Sequence, residues 1–187
     1  APESKLSGIG HTDFINSVWY QRTIQIPAEW SGKNIKLNFG AVYYTSEYYI
    51  DGKFVGRHYG GSDSFSFDIT EFVADGKEHS LVVHAESDVR SGQQPAGKQS
   101  SIYNSHGCFY TRTTGIWQTV WMEAVDACAL ERVHVLTDID QSQMVVTPTF
   151  YNYAAGNKFV VSVKDGEKVV SKVEVAAAQG LPVVVPI

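Results

Sequence analysis

The dipeptide Asp-Gly stands at Asp51-Gly52, Asp75-Gly76 and Asp165-Gly166, each time beside runs that read as strands. Asp-Gly suits a type I′ turn, whose two central residues need positive φ, and such a turn joins antiparallel neighbours. Tyr48-Tyr49-Ile50 and Lys53-Phe54-Val55 flank the first and form a hairpin with it. Phe65, Phe67 and Ile69 alternate with Ser66 and Asp68, and Leu81, Val83 and Ala85 alternate with Val82, His84 and Glu86. Ile35, Leu37 and Phe39 alternate with Lys36 and Asn38, which predicts one buried face and one wet face. Val18 to Ile26 is a further strand, ended by Pro27, and the best helix signal is a single turn around Ile69 to Ala74. Short strands joined by turn chemistry predict an all-β chain built as an antiparallel sandwich.

The character changes after Asp126. Aromatic residues thin out and valines take over, with Val133 and Val135, Met144 to Tyr151, Phe159 to Val163 and Val169 to Val175 as a second strand series. Two domains are expected, over residues 1–126 and 127–187. The second is too short for a complete immunoglobulin-like sandwich of about 100 residues. The chain opens on Ala1-Pro2-Glu3 and closes inside the strand-like apolar run Leu181 to Ile187, and natural domains rarely end by leaving such a run unpaired. The reading is therefore of an excised piece of a longer protein.

Composition excludes several function classes. The net charge is -5 and the charges are scattered. Nucleic acid would want a basic stripe, and an anionic membrane surface a polybasic segment. No apolar run approaches the roughly 20 residues that cross a bilayer. Neither a nucleic-acid partner nor a membrane partner is expected. Cys108 and Cys128 make no CxxC motif, and nothing in their spacing demands a bridge, so free thiols are expected with a disulfide left open. His58 and His84 sit among strand residues and lack a converging ligand set, so they are given structural roles. No metal site and no cofactor motif is present. Glu47, Asp68, Glu86 and Glu123 lie at turn or solvent-facing positions and are given no catalytic role.

The candidate for function is the polar stretch from Ser87 to Thr113. It has no apolar periodicity and feeds the aromatic run Gly115-Ile116-Trp117-Gln118-Thr119-Val120-Trp121-Met122. Ordering so long an irregular segment is costly, and long loops on rigid scaffolds disproportionately carry sites. It holds Asp88, Arg90, Lys98, Gln99, Tyr103, Asn104, His106, Tyr110 and Arg112. Planar hydrogen-bonding groups suit hydroxyls, and aromatic faces suit the apolar side of a sugar ring. Ile116 to Val125 is expected to run as one strand, with Trp117 and Trp121 on a shared face anchoring the core or a domain contact.

Three stretches together carry a family resemblance. The first is Trp19-Tyr20-Gln21-Arg22-Thr23-Ile24 followed by Ile26-Pro27. The second is Tyr49-Ile50-Asp51-Gly52-Lys53-Phe54-Val55-Gly56-Arg57-His58, then Gly60-Gly61 and Phe65-Ser66-Phe67-Asp68-Ile69-Thr70. The third is the Gly-Ile-Trp run. In order and spacing they resemble the amino-terminal sugar-binding domain of glycoside hydrolase family two, the family of β-galactosidases, β-glucuronidases and β-mannosidases. The resemblance covers residues 4–125. It departs at Asp51, Ser64 and Met122, where the family often has Asn, Pro and Leu. It also lacks strands that precede this region in the family, which would expose a sheet edge.

The resemblance implies a jelly-roll sandwich for residues 1–126 and the start of an immunoglobulin-like domain for 127–187. It implies a parent enzyme that hydrolyses β-glycosides with retention, using two carboxylates on a later barrel domain. The piece itself would then be catalytically silent, with carbohydrate and the missing barrel as its partners. The loop before the Gly-Ile-Trp strand would reach toward the barrel, and Asp88, Lys98, Gln99 and Arg112 would bind substrate there. A secreted or periplasmic bacterial setting would be compatible with this. The rival readings are a free-standing carbohydrate-binding module and a structural or adhesion protein built from β-sandwiches.

Overall fold

A computed structural model describes all 187 residues. The chain forms two compact units, Ala1–Ala124 and Val125–Ile187.

In the first unit the strands are β1 (Ser17–Gln25), β2 (Asn34–Phe39), β3 (Val42–Tyr43), β4 (Thr45–Ile50), β5 (Lys53–Tyr59), β6 (Phe65–Asp68), β7 (Glu78–Glu86), β8 (Gly115–Ile116) and β9 (Val120–Val125). One short helix, α1 (Thr70–Val73), follows β6. Four strands make one sheet in the order β1-β7-β4-β5, and three make a second in the order β6-β2-β9. β3 and β8 pair separately. The pairs are antiparallel, with Trp19 opposite His84, Glu47 opposite His84 and Glu47 opposite Arg57. At the tip between β4 and β5, Asp51 has φ 49 and Gly52 φ 76, the two positive values a type I′ turn requires.

The strand period decides which side chains meet between the sheets. Tyr48, Ile50, Leu81, Val83 and Ala85 come from the four-stranded sheet, and Ile35, Leu37 and Phe39 from β2. They close into one core with Val42, Ile69 and Val73. Fully burying one such aliphatic side chain is worth about 1.5–3 kcal/mol. β2 departs from the expected one-sided burial, because Lys36 and Asn38 on its other face are only 8% and 7% exposed. It is the middle strand of its sheet, and Asn38 Nδ2 donates to Glu123 Oε1 on β9 at 3.2 Å.

The run after Gly115 is not one strand. β8 pairs with β3 for two residues, then residues 117–119 cross over before β9 begins. Trp117 N donates to Ala41 O at 3.3 Å and Gly40 N to Thr119 O at 2.8 Å, so the break faces the equivalent break between β2 and β3. Trp117 and Trp121 are each 42% exposed and do not anchor the core, contrary to the expectation for a single strand. Aromatic size favours burial, but here the change of pairing partner sets where the rings point.

The second unit holds β10 (Ala129–Asp138), β11 (Gln143–Tyr151), β12 (Lys158–Asp165), β13 (Lys168–Ala176) and β14 (Val183–Pro186). β10, β11 and β14 form one sheet, and β12 and β13 a hairpin. Asp165 pairs with Lys168, which puts the turn at Gly166 and Glu167, one residue later than the Asp-Gly pair suggested. The final apolar run is not left unpaired, since β14 lies against β11 with Met144 opposite Val185. The buried cluster is small: Val146, Phe159, Ala177, Val183 and Val185. Both cysteines are free, and the chain has no group of three or more His, Cys, Asp or Glu residues able to hold a metal.

Candidate functional site

The 87–113 loop contains no extended strand, yet it is tied at both ends and through its middle. Ser87 N donates to Asn16 O at 2.9 Å, and Thr114 Oγ1 to Ile15 O at 2.8 Å. Within it, Ser100 N donates to Tyr110 O at 2.7 Å and Tyr110 N to Lys98 O at 2.8 Å. The Ser100 side chain is fully buried, with its Oγ 2.9 Å from Ile102 O and 2.8 Å from Asn104 O. The Tyr43 hydroxyl donates to Pro95 O, fastening the loop to β3. Burial raises the Tyr43 pKa, so the phenol stays a proton donor there.

Arg112 is the hub. It is 3% exposed, and its Nη1 donates to Ser100 O at 3.3 Å and Ile102 O at 2.5 Å. Its Nη2 donates to Thr12 O at 2.5 Å and Tyr103 O at 3.3 Å. Its guanidinium carbon lies 4.0 Å from the centroid of the Phe14 ring, and that of Arg90 lies 3.8 Å from the same ring. Cations placed over an aromatic face are attracted by the ring quadrupole. The pair clamps the segment before β1 onto the loop, and Tyr103 meets Phe14 edge-on at 5.3 Å.

The four candidate substrate residues thus divide into two kinds. Gln99 is buried, and its Oε1 accepts from Thr113 N at 2.7 Å. With Arg112 it faces the inside of the loop. Lys98 is exposed, and Asp88 is half-buried with its Oδ1 accepting from Arg90 N at 3.0 Å in a local turn. Lys98 and Asp88 therefore keep side-chain atoms toward solvent, as do the large rings of Tyr103, Phe109 and Tyr110. The loop surface offers an ammonium, a carboxylate and aromatic faces on a framework that is already ordered. Phe14 was not singled out from the sequence, because its partner Arg112 is far from it along the chain and no local pattern links them. His106 is exposed, with its Nδ1 3.3 Å from Ser100 Oγ and its ring stacked on Phe109 at 5.2 Å.

The carboxylates whose pKa is perturbed, Glu47, Asp51 and Asp75, are all held in the ionised form. Hydrogen bonds from Tyr49 and Arg57 lower Glu47. Hydrogen bonds from His79 and from Ser80 N lower Asp51, and that from Lys77 N, then that from His79, lowers Asp75. A general acid for glycoside cleavage needs the opposite shift.

Residues 11–103 match the family model described as glycosyl hydrolases family 2, sugar binding domain. Among curated relatives, the chain is 28% identical over 121 residues to a β-galactosidase of Thermoanaerobacter pseudethanolicus, covering 64% of this chain and 15% of that protein. It is 27% identical over 165 residues to a β-glucuronidase of Bacteroides fragilis, covering 82% of this chain and 22% of that protein. The chain therefore spans a minor part of the length of the relatives it matches. Its fold is shared with the crystal structure of Ruminococcus gnavus β-glucuronidase at a TM-score of 0.69 and 19% identity, over 92% of this chain and 29% of that one. A family 2 member from Bacteroides cellulosilyticus gives a TM-score of 0.68 at 18% identity, over 91% and 23%. Residues 11–103 are a sugar-binding domain of glycosyl hydrolase family 2.

Proposed function

We propose that this chain is the sugar-binding and scaffold part of a retaining β-glycoside hydrolase whose catalytic carboxylates lie on another domain. The observation that carries the reading is the match of residues 11–103 to the family's sugar-binding domain, with the chain covering 15% and 22% of a β-galactosidase and a β-glucuronidase. In this reading the 87–113 loop is the part that meets substrate at the face of the catalytic domain. Lys98 and Asp88 supply the sugar contacts, while Gln99 and Arg112 hold the loop in shape from beneath. The valine-rich residues 127–187 are the start of an immunoglobulin-like domain.

The test is kinetic and uses the full-length protein. With its preferred nitrophenyl β-glycoside, Lys98→Ala and Asp88→Ala should each lower kcat/KM about tenfold, the loss of one good hydrogen bond to substrate. Variants that keep wild-type kcat/KM would remove the loop from the substrate site.

A further inference from the structure

The outer face of the β1-β7-β4-β5 sheet is chemically unlike a plain solvated surface. Strand register sets its residues in rows across the sheet. One row runs Trp19, His84, Glu47, Arg57, and the row beside it runs Ser17, Glu86, Thr45, Tyr59. The Trp19 indole lies flat on the His84 imidazole, with ring centroids 4.0 Å apart and 11° between planes, yet the residue is 62% exposed. His84 Nε2 is 2.8 Å from Ser17 Oγ. Arg57 Nε donates to Glu47 Oε1 at 2.9 Å, Arg57 Nη1 to the Tyr59 hydroxyl at 3.1 Å, and Tyr49 donates to Glu47 Oε2 at 2.7 Å. Thr45, Glu47, Arg57, Tyr59, His84 and Glu86 line a cleft of about 340 Å³ on this face.

We propose that this face is a second carbohydrate-binding surface that takes a neutral oligosaccharide. Two open aromatic residues, Trp19 on β1 and Tyr59 on β5, stand on opposite edge strands, about 14 Å apart across three strand spacings. Between them lie a guanidinium, two carboxylates and an imidazole, which are donors and acceptors suited to ring hydroxyls. The hydrogen bonds among them fix their positions before any ligand arrives, so binding spends little ordering entropy. The face carries Glu47 and Glu86 against the single cation Arg57, and Glu47 already occupies that cation. A uronate would meet uncompensated negative charge, so the ligand is neutral. This surface is separate in its residues from the 87–113 loop and rests on a different observation.

The experiment is isothermal titration of the 187-residue chain with cellohexaose, xylohexaose and a galactan oligomer, with an oligoglucuronate beside them. Saturable binding of at least one neutral oligomer is expected, weakened about tenfold in Trp19→Ala by loss of a stacking contact. Arg57→Ala should weaken it about fivefold by loss of hydrogen bonds, and circular dichroism should show both variants folded. No binding by any neutral oligomer, binding that neither substitution changes, or binding of the uronate alone would each overturn the proposal. So would self-association of the chain that Trp19→Ala abolishes, which would make the face a protein interface. The loop variants are read by hydrolysis in the full-length protein and these by binding to the chain, so the two ideas fail separately.

Discussion

At the scale of single residues, His79 joins two turns that are far apart in sequence. Its Nδ1 is 2.7 Å from Asp51 Oδ2 and its Nε2 is 2.8 Å from Asp75 Oδ1, so both turns hang on one ring. Asp51 also accepts from Ser80 N at 2.8 Å, and Asp75 from Lys77 N at 3.0 Å. The hydrogen bond to Asp51, helped by that to Asp75 and opposed by burial, raises the His79 pKa above its ordinary value. Its contribution to stability is therefore complete below the unfolded histidine pKa of about 6.5 and is lost as pH rises through the folded value. Asp51 and Asp75 are shifted down, so theirs is complete above the unfolded aspartate pKa of about 3.9 and is lost as pH falls through the folded values. The three contribute together between about pH 4 and 6.5. Denaturant unfolding should show His79→Ala less stable by about 2 kcal/mol at pH 5.5, with the deficit shrinking toward pH 9. A deficit that grows with pH would contradict the clamp. A second residue-scale prediction concerns Gly61, where an added Cβ would fall 2.0 Å from Tyr43 Cδ2. Gly61→Ala should displace Tyr43, the side chain that holds Pro95, and lower stability by about 2–3 kcal/mol. An unchanged unfolding midpoint would show that the ring can yield.

At the scale of elements, the 87–113 loop behaves as a folded part because Arg112 replaces a missing core. Arg112→Ala would take the guanidinium away from four carbonyls, of which Ile102 O keeps the Ser100 hydroxyl, at a cost of about 3 kcal/mol. Limited proteolysis should then cut the variant within 87–113 and spare that segment in the wild-type chain. Lys98→Ala, on the same loop but exposed, should change stability by less than about 0.5 kcal/mol. The strands themselves were legible. Alternation in Leu81, Val83 and Ala85 marks β7, and Asp51-Gly52 marks the tip of the β4–β5 hairpin, because a buried face and a positive-φ turn each leave a local signature. What the local pattern could not carry was pairing between distant segments. Trp117 and Trp121 read as one strand face, but β8 pairs with β3 and β9 with β2, and the crossover between them leaves both rings half open. Lys36 and Asn38 read as wet because alternation does not say that β2 is a central strand. In the loop, residue types suggested sugar contact, yet Arg112 reads the same in sequence whether its donors face a ligand or the backbone.

At the scale of the whole molecule, the two units differ in how well they are closed. The first has two sheets over a continuous aromatic and aliphatic core. In the second, Leu130, Val133, Val135 and Leu136 of β10 remain open. Stability is not uniform in such a chain, and the less closed unit opens first. Hydrogen exchange should find the amides of the β12–β13 hairpin, which has no third strand, faster than those of β7, which has a partner on each side. Equal protection would show that the second unit is held as firmly as the first. The central claim is that this chain brings substrate recognition and scaffold to a glycosidase without the chemistry. Its most direct test is turnover by the purified 187-residue chain on nitrophenyl β-galactoside and β-glucuronide, beside the full-length protein. The account expects no release above buffer from the chain and rapid release from the full-length enzyme. Release by the chain, abolished by substituting one of its own carboxylates, would contradict it.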